Sequence, residues 1–115
     1  MKFQATPDAE LTEAAFAKLL FSTSKASPGL AHIYGWRLVY HTFRSQHSPS
    51  GFPDYVLVRE RVVFAELKTE KGKPTPFQTE WLDGLRSAGA EVYLWRPSDL
   101  TSGEIGRVLS RRTRS

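Results

Sequence analysis

Two short β-forming runs, Asp54-Tyr55-Val56-Leu57-Val58 and Val62-Val63-Phe64-Ala65-Glu66, stand only three residues apart. Both are rich in branched and aromatic side chains that fit a pleated surface. So short a gap joins strands only as a hairpin, which puts an antiparallel pair at the centre of the fold. Side chains alternate along a strand, so Glu66 and Lys68 take one face and Leu67 the other. The face taken by Asp54 depends on the turn. A two-residue turn at Glu60-Arg61 sets Arg59 opposite Val62 and Asp54 opposite Leu67, and the two carboxylates diverge. A three-residue loop, Arg59-Glu60-Arg61, sets Val58 opposite Val62 and Asp54 opposite Glu66. A joint site for both acids therefore requires the odd-length loop or a bulge. Such loops usually place glycine at a left-handed position, and this one offers only Arg or Glu.

The flanking sequence supplies layers for that hairpin. Thr6-Pro7 reads as an N-cap with proline in the first helical position, opening a helix to about Phe21 with Leu11, Ala15, Phe16, Leu19 and Leu20 as its buried stripe. Residues 22–35 have loop composition, and Trp36 to His41 reads as a first strand. Residues 42–52 form a polar loop that delivers the chain to Asp54. After a charged turn at 69–73, Thr75-Pro76-Phe77-Gln78 opens a second helix with a Thr-x-x-Gln capping box, with Trp81, Leu82 and Leu85 inward and Gly89 as terminator. Glu91 to Trp95 is then a strand reached by a helical crossover, which implies parallel pairing with the strand from Val62. The expectation is an α/β domain with a central mixed four-stranded sheet whose two faces are covered by helices on opposite sides. Ser98 to about Leu109 reads as one weak helical segment interrupted by Gly103 and Gly106.

At 115 residues the chain fits a single domain, residues 1–110, followed by a basic, flexible tail at 111–115. It contains no cysteine, which excludes disulfides and thiolate-held zinc and suits an intracellular protein. The apolar run Phe16 to Phe21 is far too short to span a bilayer. The net charge of +4 owes three units to Arg111, Arg112 and Arg114, so charge alone does not identify an anionic partner.

The spacing of Asp54, Glu66 and Lys68 suits phosphodiester hydrolysis, which needs a positioned water, neutralised phosphate charge and a stabilised leaving oxygen. Hard oxygen donors suit Mg2+ or Mn2+, and magnesium usually keeps several waters while accepting one or two carboxylates. Asp54 and Glu66 would supply these, the Leu67 backbone carbonyl a third oxygen, and Lys68 a charge beside the phosphate.

Four stretches carry a family resemblance: Gly51-Phe52-Pro53-Asp54, Phe64-Ala65-Glu66-Leu67-Lys68, Pro76-Phe77-Gln78-Thr79-Glu80-Trp81-Leu82 and Gly89 through Pro97. With them the chain resembles the VRR-NUC domains of the PD-(D/E)xK nuclease superfamily, in particular the small stand-alone type of phages and bacteria. The resemblance runs from about Glu13 to Asp99. It implies a restriction-endonuclease-like fold in which Asp54 and Glu66 ligate the metal, Lys68 is catalytic, Gln78 supports the site and Glu13 completes the metal shell, through a water. Helical spacing sets Glu13 beside Phe16 and Leu20. Gln78 also has a purely structural role open to it as the capping partner of Thr75.

The resemblance further implies a magnesium- or manganese-dependent endonuclease that leaves 5′-phosphates on branched DNA of the Holliday-junction type. It implies a homodimer, in the cytoplasm of a bacterium or phage-infected host. His41, Arg44, His47, Lys71, Lys73, Arg111 and Arg112 are the candidate nucleic-acid contacts. Two rival readings are a non-catalytic nucleic-acid-binding module and a sequence-specific or nicking endonuclease.

Overall fold

The computed structural model describes residues 7–42 and 50–112. One 3-10 turn at Asp8–Glu10 leads into helix α1 (Glu13–Phe21), the single-turn α2 (Leu30–Ile33), strands β1 (Leu38–His41), β2 (Tyr55–Val58) and β3 (Val62–Leu67), helix α3 (Pro76–Ser87), strand β4 (Glu91–Trp95), and helices α4 (Pro97–Thr101) and α5 (Glu104–Ser110). The fold is mixed α/β. Its sheet has the order β1-β2-β3-β4, antiparallel through β3 and parallel between β3 and β4.

The hairpin takes the odd-length loop. Val58 pairs with Val62 and Tyr55 with Ala65, a register that carries Asp54 opposite Glu66. The loop closes when the Arg59 N–H donates to the Arg61 carbonyl at 3.0 Å, and no non-glycine residue among those described has a positive φ. No left-handed corner is needed, so the missing glycine costs nothing. The two arginines are held by a planar partner instead. Their guanidinium groups lie 4.5 and 4.9 Å from the ring centre of the buried Trp36, and Arg61 pairs with Glu91 at 2.8 Å.

Alternation along the strands creates two unlike faces. On one, Leu57, Val63, Ala65, Leu67 and Trp95 form a continuous core with Phe16 and Leu20 of α1, Ala31 of α2, and Ile105, Val108 and Leu109 of α5. On the other, α3 buries Leu82 near Val92, while Phe52 packs edge-on to both Phe64 and Trp81. Among the described residues that cover stops part-way across. On the same face Leu38 is 66% exposed, Tyr40 67% and Val62 44%. The expected two-sided cover is thus complete on one face and half-complete on the other, because a single helix is about 10–12 Å wide and spans only two or three strands.

Several boundaries differ from expectation for local reasons. The first long helix starts at Glu13, where the Thr12 hydroxyl accepts the Ala15 N–H, and Pro7 instead precedes the 3-10 turn. Thr6 lies outside the described residues. Leu19 points outward at 51% exposure, so only Phe16 and Leu20 of the expected stripe are fully buried. Leu82 is buried, whereas Trp81 and Leu85 are half-buried along an open groove of about 730 Å³. The segment after Ser98 is two helices broken at Gly103, whose φ of 87° suits glycine, and it contributes to the core. The start of the expected flexible tail is fixed: the Arg111 carbonyl accepts from Arg59 and Arg61, and its guanidinium donates to the Tyr93 hydroxyl at 2.9 Å.

Candidate functional site

Strand β2 is entered through a constrained loop. Gly51 has φ 93°, and a Cβ there would lie 2.4 Å from the Phe77 backbone carbon at the start of α3, so the chain passes too close to that helix for any side chain. Thr42 pins Asp54, three residues on from Gly51, its N–H donating to the Asp54 carbonyl at 2.8 Å and its hydroxyl to Pro53 O. Asp54 is thereby set at the end of the hairpin. Its Oδ2 accepts the Leu67 N–H at 3.1 Å, bridging the strand ends where the ladder has finished. In an extended strand the C=O of Leu67 lies on the same edge as that N–H, toward Asp54.

Glu66 occupies the facing position and is 1% exposed. One carboxylate oxygen, Oε2, is held by Gln78 Nε2 at 3.1 Å and by Lys68 Nζ at 3.2 Å. The other, Oε1, is buried without a hydrogen-bond partner. Burial first, and repulsion from Asp54 second, raise the Glu66 pKa to about 7, and the attraction of Lys68 offsets only part of this. Two acids have been brought together in a low-dielectric place with too little positive charge between them.

Gln78 performs both roles that its position allowed. Its Oε1 accepts the Thr75 N–H at 2.9 Å while the Thr75 hydroxyl accepts the Gln78 N–H at 3.1 Å, which completes the capping box. Its amide nitrogen remains free to reach Glu66. Glu13, in the first turn of α1, approaches from the other side of the strand ends. Its pKa is raised by partial burial and then by Asp54, and lowered by Lys68 and His41, so all four groups share one electrostatic neighbourhood. The His41 ring stacks on Tyr55 at 4.5 Å.

Among the described residues no cluster of three or more His, Cys, Asp or Glu side chains comes together as a metal-binding set. Glu13 lies close enough to Asp54 and Lys68 to feel their charges. Lys71 and Lys73 are exposed on the loop that follows Lys68. Arg44 and His47 lie outside the described residues. Arg111 has its carbonyl held by Arg59 and Arg61 of the hairpin loop, and its side chain is committed to Tyr93 and to Glu91 at 3.6 Å. Arg112, exposed, follows it.

One positioning residue bears no sign of its role in the sequence. Arg96 Nη1 donates to the carbonyls of Thr69, Glu70 and Gly72 at 2.7, 3.1 and 2.6 Å, fastening the loop that bears Lys71 and Lys73 to the end of β4. A basic residue after a strand carries no mark of this, since carbonyl partners are invisible in a sequence. Comparison of the chain with protein-family models, curated proteins and solved structures finds no match in any of the three. Among the described residues no helix is long and apolar enough to cross a membrane.

Proposed function

We propose that the chain is a Mg2+- or Mn2+-dependent endonuclease of the PD-(D/E)xK type, hydrolysing phosphodiester bonds in DNA. The observation that carries this reading is the buried, unpartnered Oε1 of Glu66 beside Asp54. An acid so placed is short of a cation. Its donors are hard oxygens, and two carboxylates with open positions for water and phosphate match what magnesium accepts. Asp54, Glu66 and the Leu67 carbonyl would hold the ion. Bound there, a divalent cation supplies Lewis-acid stabilisation of charge on the phosphate.

The chain's own groups account for the rest. Gln78 steadies the Glu66 carboxylate by holding Oε2, which leaves Oε1 as the oxygen open to a cation. Lys68, half-buried at 3.2 Å from the same oxygen, places its amine where it can orient an attacking water or offset phosphate charge. Lys71 and Lys73, on the loop steadied by Arg96, are placed to meet flanking phosphates. On this reading branched DNA is the preferred substrate.

Labelled linear, flap and four-way DNA incubated with Mg2+, Mn2+ or chelator tests the proposal. It expects nicked product ending in a 5′-phosphate, only with metal and most from the four-way substrate. Folded protein that binds these DNAs but releases no product in Mn2+ contradicts it.

A further inference from the structure

We infer that the outer edge of β1, with the uncovered half of the sheet behind it, is an interface with a second copy of this chain. The inference rests on the sheet alone and stands whether or not the protein cuts DNA. Among the described residues β1 is an edge strand, and its residues Leu38-Val39-Tyr40-His41 include no lysine, proline or acid of the kind that normally discourages edge pairing. Leu38 pairs with Val58 and Tyr40 with Val56, and Val58 in turn pairs with Val62. Directly paired residues share a face. These five side chains therefore form one apolar surface, on the side that α3 leaves open.

Charge and area select the occupant. The surface has no cation to meet phosphates, so nucleic acid is a poor partner for it. Leu38, Tyr40 and Val62, at 66%, 67% and 44% exposure, leave on the order of 300 Å² of apolar surface bare, a large part of the ~800 Å² per partner of a standard interface. The half-buried Val56 and Val58 and the strand backbone add to it.

The ladder also specifies a register. The Thr42 N–H donates to Asp54 O, so Leu38, Tyr40 and Thr42 turn their backbone groups toward β2, and alternation turns those of Val39 outward. An antiparallel pair of β1 strands with Val39 on the two-fold axis lets each Val39 N–H donate to the other Val39 carbonyl. It also sets Leu38 of each copy opposite Tyr40 of the other, on the apolar face. A shift of one residue would oppose Val39 to Tyr40 and mix the two faces. The surface is thus complementary to itself, as a two-fold contact requires.

Sedimentation of the full chain at micromolar concentration is expected to give twice the monomer mass, and Tyr40→Lys is expected to give a monomer with unchanged circular dichroism. Register is tested without relying on that variant. Because the chain has no cysteine, an oxidised mixture of Leu38→Cys and Tyr40→Cys chains should cross-link to each other far more than either does to itself, the two Cα atoms being about 4.5 Å apart. A monomeric wild type at about 100 µM, a folded Tyr40→Lys variant that stays dimeric, or equal cross-linking of like and unlike chains would each overturn the inference.

Discussion

Gln78 joins the first turn of α3 to Glu66 at the end of β3, its Nε2 lying 3.1 Å from Glu66 Oε2 while its Oε1 is held by the Thr75 N–H. One side chain thereby links helix capping to the orientation of a candidate metal ligand. Gln78→Ala should lower stability by about 1 kcal/mol through the lost cap, roughly a 3–6 °C fall in Tm. It should also reduce cutting at saturating DNA. Gln78→Glu keeps the capping acceptor but adds a third acid, so it should bind Mn2+ differently while melting nearer to wild type. Thermal melts with and without Mn2+ separate the two roles, and an effect of Gln78→Ala on melting alone would leave Glu66 independent of it.

Ionisation of Glu66 should make the metal-free protein lose stability as pH rises. Folded, the group titrates near 7, whereas unfolded it titrates at the ordinary 4.5, so its contribution is whole below about 4.5 and disappears as pH passes 7. Urea melts in chelator should show wild type losing roughly 2–3 kcal/mol from about pH 5 to about pH 8 relative to Glu66→Gln, which cannot ionise. Mn2+ added at about pH 8 should restore most of that difference. Parallel curves for the two proteins would show that the burial of this acid has no energetic consequence.

Substitution of the proposed catalytic groups should separate chemistry from binding. Asp54→Asn and Lys68→Ala should each cut branched DNA at least about 100-fold more slowly. Binding of the same DNA in Ca2+ or chelator, measured by fluorescence anisotropy, should change by less than about threefold. Activity within a few-fold of wild type in both variants would remove the proposed mechanism.

Arg96→Ala should free the loop between Lys68 and Thr75. Three backbone carbonyls lose a charged donor, and a net cost of about 2 kcal/mol is expected. Hydrogen exchange should speed up at residues 69–73 and stay unchanged in α1. If exchange there does not change, the loop is held by other contacts.

Gly51→Ala should destabilise by about 2–3 kcal/mol, since the new Cβ would meet the Phe77 backbone at 2.4 Å and the φ of 93° suits only glycine. Its effect should extend to metal affinity, because the same loop delivers Asp54. Titration calorimetry with Mn2+ on the folded variant is the measurement.

Local chemistry was enough to anticipate the hairpin, the crossover helix and the box at Thr75 and Gln78. A capping pair spans three residues and strand alternation spans two, so each signal is written within a few positions of the chain. Periodicity also placed Glu66 and Lys68 on one face. The same arguments failed at the ends of elements that answer to distant partners. α1 begins at Glu13 instead of near Pro7, and the segment after Ser98 supplies Ile105, Val108 and Leu109 to the core although its glycines suggested weakness. Arg111 has the sequence neighbours of a solvated tail, and nothing near it in the chain announces Tyr93.

Which residue types could gather at the end of the hairpin was therefore written in the order of amino acids, since alternation and turn length are local properties. Whether Asp54 and Glu66 would meet was not. That was settled by an odd loop that needs no left-handed corner and is held by Arg59 and Arg61 stacking on Trp36 and by the reach of Arg61 to Glu91, partners 23 to 30 residues away. The bare half of the sheet belongs to the same category, because the width of one helix laid across four strands exists only after the chain has folded.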